Sequence, residues 1–128
     1  MANIVRDIGV ARQIGRYSDA IEVPKAARWL FTSGTPGLAL DGSLPADITG
    51  QADIAWRHIA AMLEQAGMTM HDLVKVTHYL TRPADIPVYT AVRSRFLGEA
   101  RPASMLLIVP QLVRSEFLVE VEAYAAKA

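Results

Sequence analysis

The 128-residue sequence predicts an α+β fold, a mixed β-sheet with two helices on one face. Two stretches with apolar residues at helical spacing, and several short β-branched or aromatic runs, carry that prediction. Their order is β-β-α-β-α-β-β. No internal repeat, low-complexity stretch or linker divides them, so residues 1–128 read as a single domain.

Residues 1–16 are mixed in character, carry Gly9 and Gly15, and suit an extended arm or short strand. Ser18 to Val23 is β-compatible, with Ala20 to Val23 leading to a turn at Pro24-Lys25. Trp29 to Ser33 reads as a buried strand ended by Gly34. Residues 34–46, with Thr35-Pro36-Gly37 and Asp41-Gly42-Ser43, have the chemistry of a loop. The first helix places Ile48, Ala52, Ala55, Ile59 and Met62 at spacings of three and four, with Leu63 and Ala66 extending the stripe. Asp47 is its N-cap and Gly67 its stop. Leu73 to Leu80 alternates as a strand, with Val74, Val76, His78 and Leu80 on one side. The second helix runs from Ile86 or Pro87 to Leu97, with Val88, Val92 and Phe96 as its apolar stripe, Tyr89 and Leu97 beside it, and Gly98 beyond its end. Ser104 to Val109 is continuously apolar, the pattern of a strand buried on both faces. A hairpin connection over Pro110 to Phe117 then leads into a last strand, Phe117 to Tyr124. That strand sets Phe117, Val119, Val121 and Ala123 on one face, with Leu118, Glu120, Glu122 and Tyr124 on the other.

Thirteen basic and thirteen acidic residues cancel, which points away from nucleic acid and membrane surfaces as partners. The chain has no cysteine, so thiol nucleophiles and thiolate metal sites are excluded; this suits a cytoplasmic location. Neither a signal-peptide core nor a run of ~18 apolar residues is expected. With 52% hydrophobic residues in a small chain, part of the apolar surface is expected to lie between subunits.

Among residues able to do chemistry, Glu120 and Glu122 flank Val121 in an apolar strand. A partly buried carboxyl there has a raised pKa and can position or deprotonate water; alternatively both face solvent or pair with basic side chains at a subunit edge. His58 reads as a surface or interface residue, His71 as exposed, and His78 as hydrogen-bonded and half-buried. No metal-ligand spacing occurs. Ser33 precedes Gly34 without a nucleophile elbow and reads as a turn hydroxyl.

Five segments in order resemble a known family. Ile14-Gly15-Arg16-Tyr17, Phe31-Thr32-Ser33-Gly34-Thr35, Asp72-Leu73-Val74-Lys75-Val76-Thr77, Arg101-Pro102-Ala103-Ser104 and Leu118-Val119-Glu120-Val121-Glu122-Ala123 are similar to the motifs of the RidA/YjgF proteins, also described as L-PSP endoribonucleases. The resemblance implies a chorismate-mutase-like fold, a homotrimer with clefts between subunits, and a cofactor-free hydrolysis of a reactive imine or enamine to a 2-oxo acid and ammonia. It implies Tyr17 and Glu120 as catalytic residues, with Glu120 holding the attacking water, and Ser33 and Gly34 as lining the substrate cleft.

Four positions depart from the family pattern. Ser104 stands where an arginine usually grips the substrate carboxylate, and a hydroxyl supplies no charged bidentate fork. Leu106 replaces a small residue or cysteine, Thr90 an asparagine, and Arg16 the proline before Tyr17; all four adjoin the expected cleft. Two consequences are open. A displaced cation reaches the cleft, with Arg16, Arg93, Arg101 and Arg114 as candidates. Otherwise the cleft takes a less polar ligand against Leu106, Ile108 and Phe117. A non-catalytic ligand-binding or regulatory trimer is the alternative to a deaminase.

Overall fold

A computed structural model describes residues 2–128; Met1, at the start of the expected arm and domain span, lies outside them. The expected order of elements is present, with two further two-residue strands. In chain order the strands are β1 (Ile4–Val5), β2 (Ile21–Glu22), β3 (Arg28–Phe31) and β4 (Thr35–Pro36) before helix α1 (Ile48–Gln65). Then come β5 (Leu73–Leu80), α2 (Ile86–Leu97), β6 (Ala103–Ile108) and β7 (Val119–Lys127). β4 falls inside the expected loop because Thr35 and Pro36 pair with Val121 and Glu120 of β7. β1 pairs with β2 in a separate two-stranded ribbon.

The main sheet runs β3-β7-β5-β6, with β4 also on β7. β5 and β6 are parallel, and β7 lies antiparallel to its neighbours, so the sheet is mixed. The connection after β6 is therefore not a hairpin. β5 separates β6 from β7, and the chain crosses it through residues 109–118, tied at Val109 N–H to Leu80 O (2.8 Å) and Thr81 N–H to Leu118 O (3.3 Å). β7 also starts and ends later than expected, because pairing with β3 carries it to Lys127. The side chain of Gln51 takes the place of a strand partner at its approach, accepting from Leu118 N–H at 2.8 Å.

Both helices pack on the sheet face that carries Val76, His78, Leu80, Val119, Val121 and Ala123. Asp47 caps α1 as expected, accepting from Gly50 N–H at 2.9 Å. Gly67, at φ +69°, ends it in a left-handed turn. Two apolar stripes shift from the expected ones. In α2 the buried residues are Tyr89 and Val92, and Val88 is exposed, because the Tyr89 hydroxyl finds polar partners inside. In β5 a bulge between Leu73 and Lys75 makes Val74 the extra residue, so Leu73 fills the core position instead.

β6 is the edge strand and is not buried on both faces: Met105 and Ile108 are exposed. Its apolar continuity has another destination. The sheet face turned away from the helices exposes, besides Met105, Trp29, Phe31 and Tyr124, whose rings pack in sequence with centroids 5.8 and 5.2 Å apart. Among the described residues, no helix is long and apolar enough to cross a membrane.

Candidate active site

A cleft of ≈ 530 Å³ opens at the β6 edge, between that strand and α2. From β6 it receives Ser104, Met105 and Leu106. α2 lines it with Ile86, Thr90, Arg93, Ser94 and Leu97, spaced so that one helical face looks into it. The segment before β2 closes the third side with Arg16 and Tyr17. That segment is held against β6: Ser18 bridges Ala103, its N–H donates to Pro102 O (3.2 Å), and its hydroxyl donates to Arg101 O. Behind it, Asp19 accepts from the backbone N–H of Ile8, Gly9 and Ala11 at 2.8–3.0 Å, which pulls its carboxyl pKa down and stitches the arm to this segment.

The structure thus brings together Arg16, Tyr17, Thr90, Ser104 and Leu106 of the expected site. It does not bring Ser33, Gly34 or Glu120 to the same cleft. Glu120 pairs with Tyr79 and Pro36 on the open sheet face, two strands from β6. Ser33 and Gly34 lie beside it at the turn before β4. A Cβ placed on Gly34 would stand 2.6 Å from Glu120 Oε2, so only glycine lets the carboxylate rest there. Burial pushes the Glu120 carboxyl pKa up, and the neighbouring Glu122 charge adds to the rise. This is the environment of a proton acceptor with useful basicity, although Glu120 remains partly open to water.

Of the candidate arginines, Arg16, Arg93 and Arg101 line the cleft and Arg114 does not. Arg114 lies over the Phe117 ring at 5.3 Å. Phe117 is buried and Ile108 sits farther along the edge; neither lines the cleft beside Leu106.

Sequence reasoning missed what stands behind Ser104. His78 is fully buried, not half-buried; its Nε2 lies 2.9 Å from Ser104 Oγ, and its Nδ1 bonds the Tyr89 hydroxyl. Trp56 Nε1–H donates to that same hydroxyl at 3.2 Å. Burial, assisted by the Arg93 charge, drives the His78 pKa down to about 3, so the imidazole is neutral. Parallel pairing of β5 with β6 sets His78 opposite Leu106 and diagonal to Ser104 on one face. The alternation along β5 pointed His78 inward, but only this register shows what it meets.

The sequence model described as Endoribonuclease L-PSP matches residues 10–127. The chain belongs to the RidA/YjgF family. A RutC family protein from Pyrococcus horikoshii is 32% identical across 99% of both chains. The 2-iminobutanoate/2-iminopropanoate deaminase of Escherichia coli is 28% identical over 89% of each. Among solved structures, Escherichia coli TdcF with bound serine superposes with a TM-score of 0.74 at 27% identity, covering 90% of this chain and 91% of that one. The α+β fold of this RidA/YjgF protein, with its mixed sheet and two helices, is that of its relatives.

Proposed function

We propose that the protein is a cofactor-independent hydrolase of reactive imines or enamines, working as a homotrimer. The observation that carries this reading is the pair of half-sites on one protomer: a cleft at Tyr17 and Ser104, and a basic carboxylate at Glu120 backed by Gly34. Membership of a family in which a 28% identical relative is a 2-iminobutanoate/2-iminopropanoate deaminase supports the substrate class. The exposed Trp29, Phe31, Met105 and Tyr124 supply an apolar face for a second copy of the chain, which would lay Glu120 of one protomer against the cleft of the next.

In this reading Glu120 takes a proton from water, whose oxygen adds to the imine carbon. The nitrogen gains a proton as the tetrahedral carbinolamine forms. The carbinolamine hydroxyl then gives up its proton while the nitrogen gains its last one, with Glu120 as the shuttle; the C–N bond breaks, ammonia leaves, and the carbon keeps the oxygen as a carbonyl. An imine is already electrophilic, so orientation and one proton shuttle suffice. Tyr17, which lines the cleft, steadies the nitrogen or the nascent oxygen in this reading.

The test generates imines in situ with an amino-acid oxidase and follows ketoacid and ammonia release, alongside the solution mass by light scattering. Acceleration over the buffer rate by a particle of three chains is expected. A monomer, or no acceleration with any imine, would overturn the reading. Gly34→Ala gives a finer check. The new methyl displaces the flexible end of Glu120, so turnover is expected to fall about tenfold or more while stability stays within about 0.5 kcal/mol. Unchanged turnover would separate Glu120 from the chemistry.

A further inference from the structure

The hydrogen bonds behind Ser104 have a direction. The Trp56 indole N–H can only donate, so the Tyr89 oxygen accepts from it. Tyr89 is wholly buried, and its own proton needs an acceptor, which the His78 Nδ1 lone pair provides. A neutral imidazole that accepts at Nδ1 carries its hydrogen on Nε2. That hydrogen points to Ser104 Oγ at 2.9 Å. The Ser104 oxygen is therefore an acceptor toward the core, and its own O–H is left to donate into the cleft. The opposite tautomer would strand the Tyr89 proton in an apolar interior. His78 consequently does not act as a base toward Ser104, and Ser104 is a donor and not a nucleophile.

The charge in the cleft is one-sided. Arg16, Arg93 and Arg101 line it, and no aspartate or glutamate does among the described residues. Arg101 is committed to its own loop, donating to Gly98 O (2.7 Å) and Ala100 O (2.9 Å). Arg16 is exposed. Arg93 is half-buried, its guanidinium carbon 5.7 Å from the Tyr89 ring centre, and it makes no ion pair among the described residues. A guanidinium held over a buried ring by cation–π attraction is restrained before any ligand arrives.

We propose that Arg93 and the Ser104 hydroxyl together bind the carboxylate of the substrate, with His78, Tyr89 and Trp56 as the positioning residues that turn the Ser104 O–H outward. This deepens the deaminase reading and rests on it for the choice of a 2-imino acid as ligand. The charge withdrawn from position 104 is supplied one helix away, and the serine contributes a neutral second donor.

Calorimetric titration with 2-oxobutanoate, and with butanone as its uncharged counterpart, tests the assignment without any need for turnover. The wild-type protein is expected to bind 2-oxobutanoate and to discriminate against butanone. Arg93→Gln is expected to weaken 2-oxobutanoate binding roughly tenfold or more, Ser104→Ala by about threefold to tenfold, and Arg93→Lys by an intermediate amount. Arg95→Gln, a charge change on the same helix outside the cleft, should leave it unaltered. Nitrogen-15 NMR of the His78 ring should show the proton on Nε2. Equal binding of the two ketones, full affinity in Arg93→Gln, or a proton on Nδ1 would overturn the proposal. Binding that tracks Arg93 without imine turnover would retain the anchor and remove the deaminase; turnover indifferent to Arg93 would do the reverse.

Discussion

Tyr89→Phe is expected to cost about 2–5 kcal/mol, although it deletes a single oxygen. The Tyr89 hydroxyl is the common partner of Trp56 Nε1 and His78 Nδ1, and all three side chains are fully buried. Phenylalanine leaves an indole N–H and an imidazole nitrogen without partners, each worth about 1–3 kcal/mol in lost desolvation compensation. Urea unfolding at neutral pH measures it, and a change below about 1 kcal/mol would mean the network does not close. The same cluster predicts acid sensitivity. His78 titrates at about 3 in the fold, against 6.5 as its ordinary value, because burial and then the Arg93 charge oppose protonation. Between those values the unfolded chain binds the extra proton. His78's contribution to stability is therefore whole above pH 6.5 and is lost as pH falls toward 3, at up to ~1.4 kcal/mol per unit. His78→Gln should unfold more readily at pH 7 yet show a flatter dependence between pH 6.5 and 4.

Glu120→Gln is expected to lower imine turnover by about a hundredfold to ten-thousandfold, the usual worth of a positioned general base. Glutamine keeps the shape and hydrogen bonding of the side chain but cannot accept a proton, so ligand binding should persist. Because burial raises the Glu120 pKa and Glu122 raises it further, turnover in the wild type should climb with pH through that ionisation. Glu122→Gln removes the like charge and should move the acid limb of the profile to lower pH. Rates from pH 4 to 8 on an imine formed from an oxidase check both. Near-full activity in Glu120→Gln would assign the water to another group.

The elements that follow from local periodicity were legible from the start. The α1 stripe, its Asp47 cap and its Gly67 stop depend on residues within a few positions of one another; cap and stop stand as read, and the stripe does too except that Gln51 and Trp56 are also buried while Met62 and Ala66 are only partly so. The alternation of β7 placed Val119, Val121 and Ala123 inward correctly for the same reason. In α2, Val92 and Phe96 pack on the core as read, but Tyr89, beside the expected stripe, is buried in place of Val88, and that choice lies with the polar partners of the tyrosine hydroxyl in the core. The supposed hairpin after β6 failed because pairing between distant segments decides which strand neighbours which. The bulge that sends Val74 out and Leu73 in is a property of the β5–β7 register.

The family, and with it Tyr17, Ser104 and Glu120 as residues of interest, was written in the sequence, because ordered short motifs survive in one dimension. The absence of arginine at position 104 was written there too. Only the tertiary structure decided what surrounds Ser104. It set His78 behind Ser104 through a parallel strand pair, laid Arg93 on the Tyr89 ring from a neighbouring helix, and parted Glu120 from the cleft by two strands. Each of these joins residues far apart along the chain, and a hydrogen bond or a charge acts through space, where sequence spacing has no say.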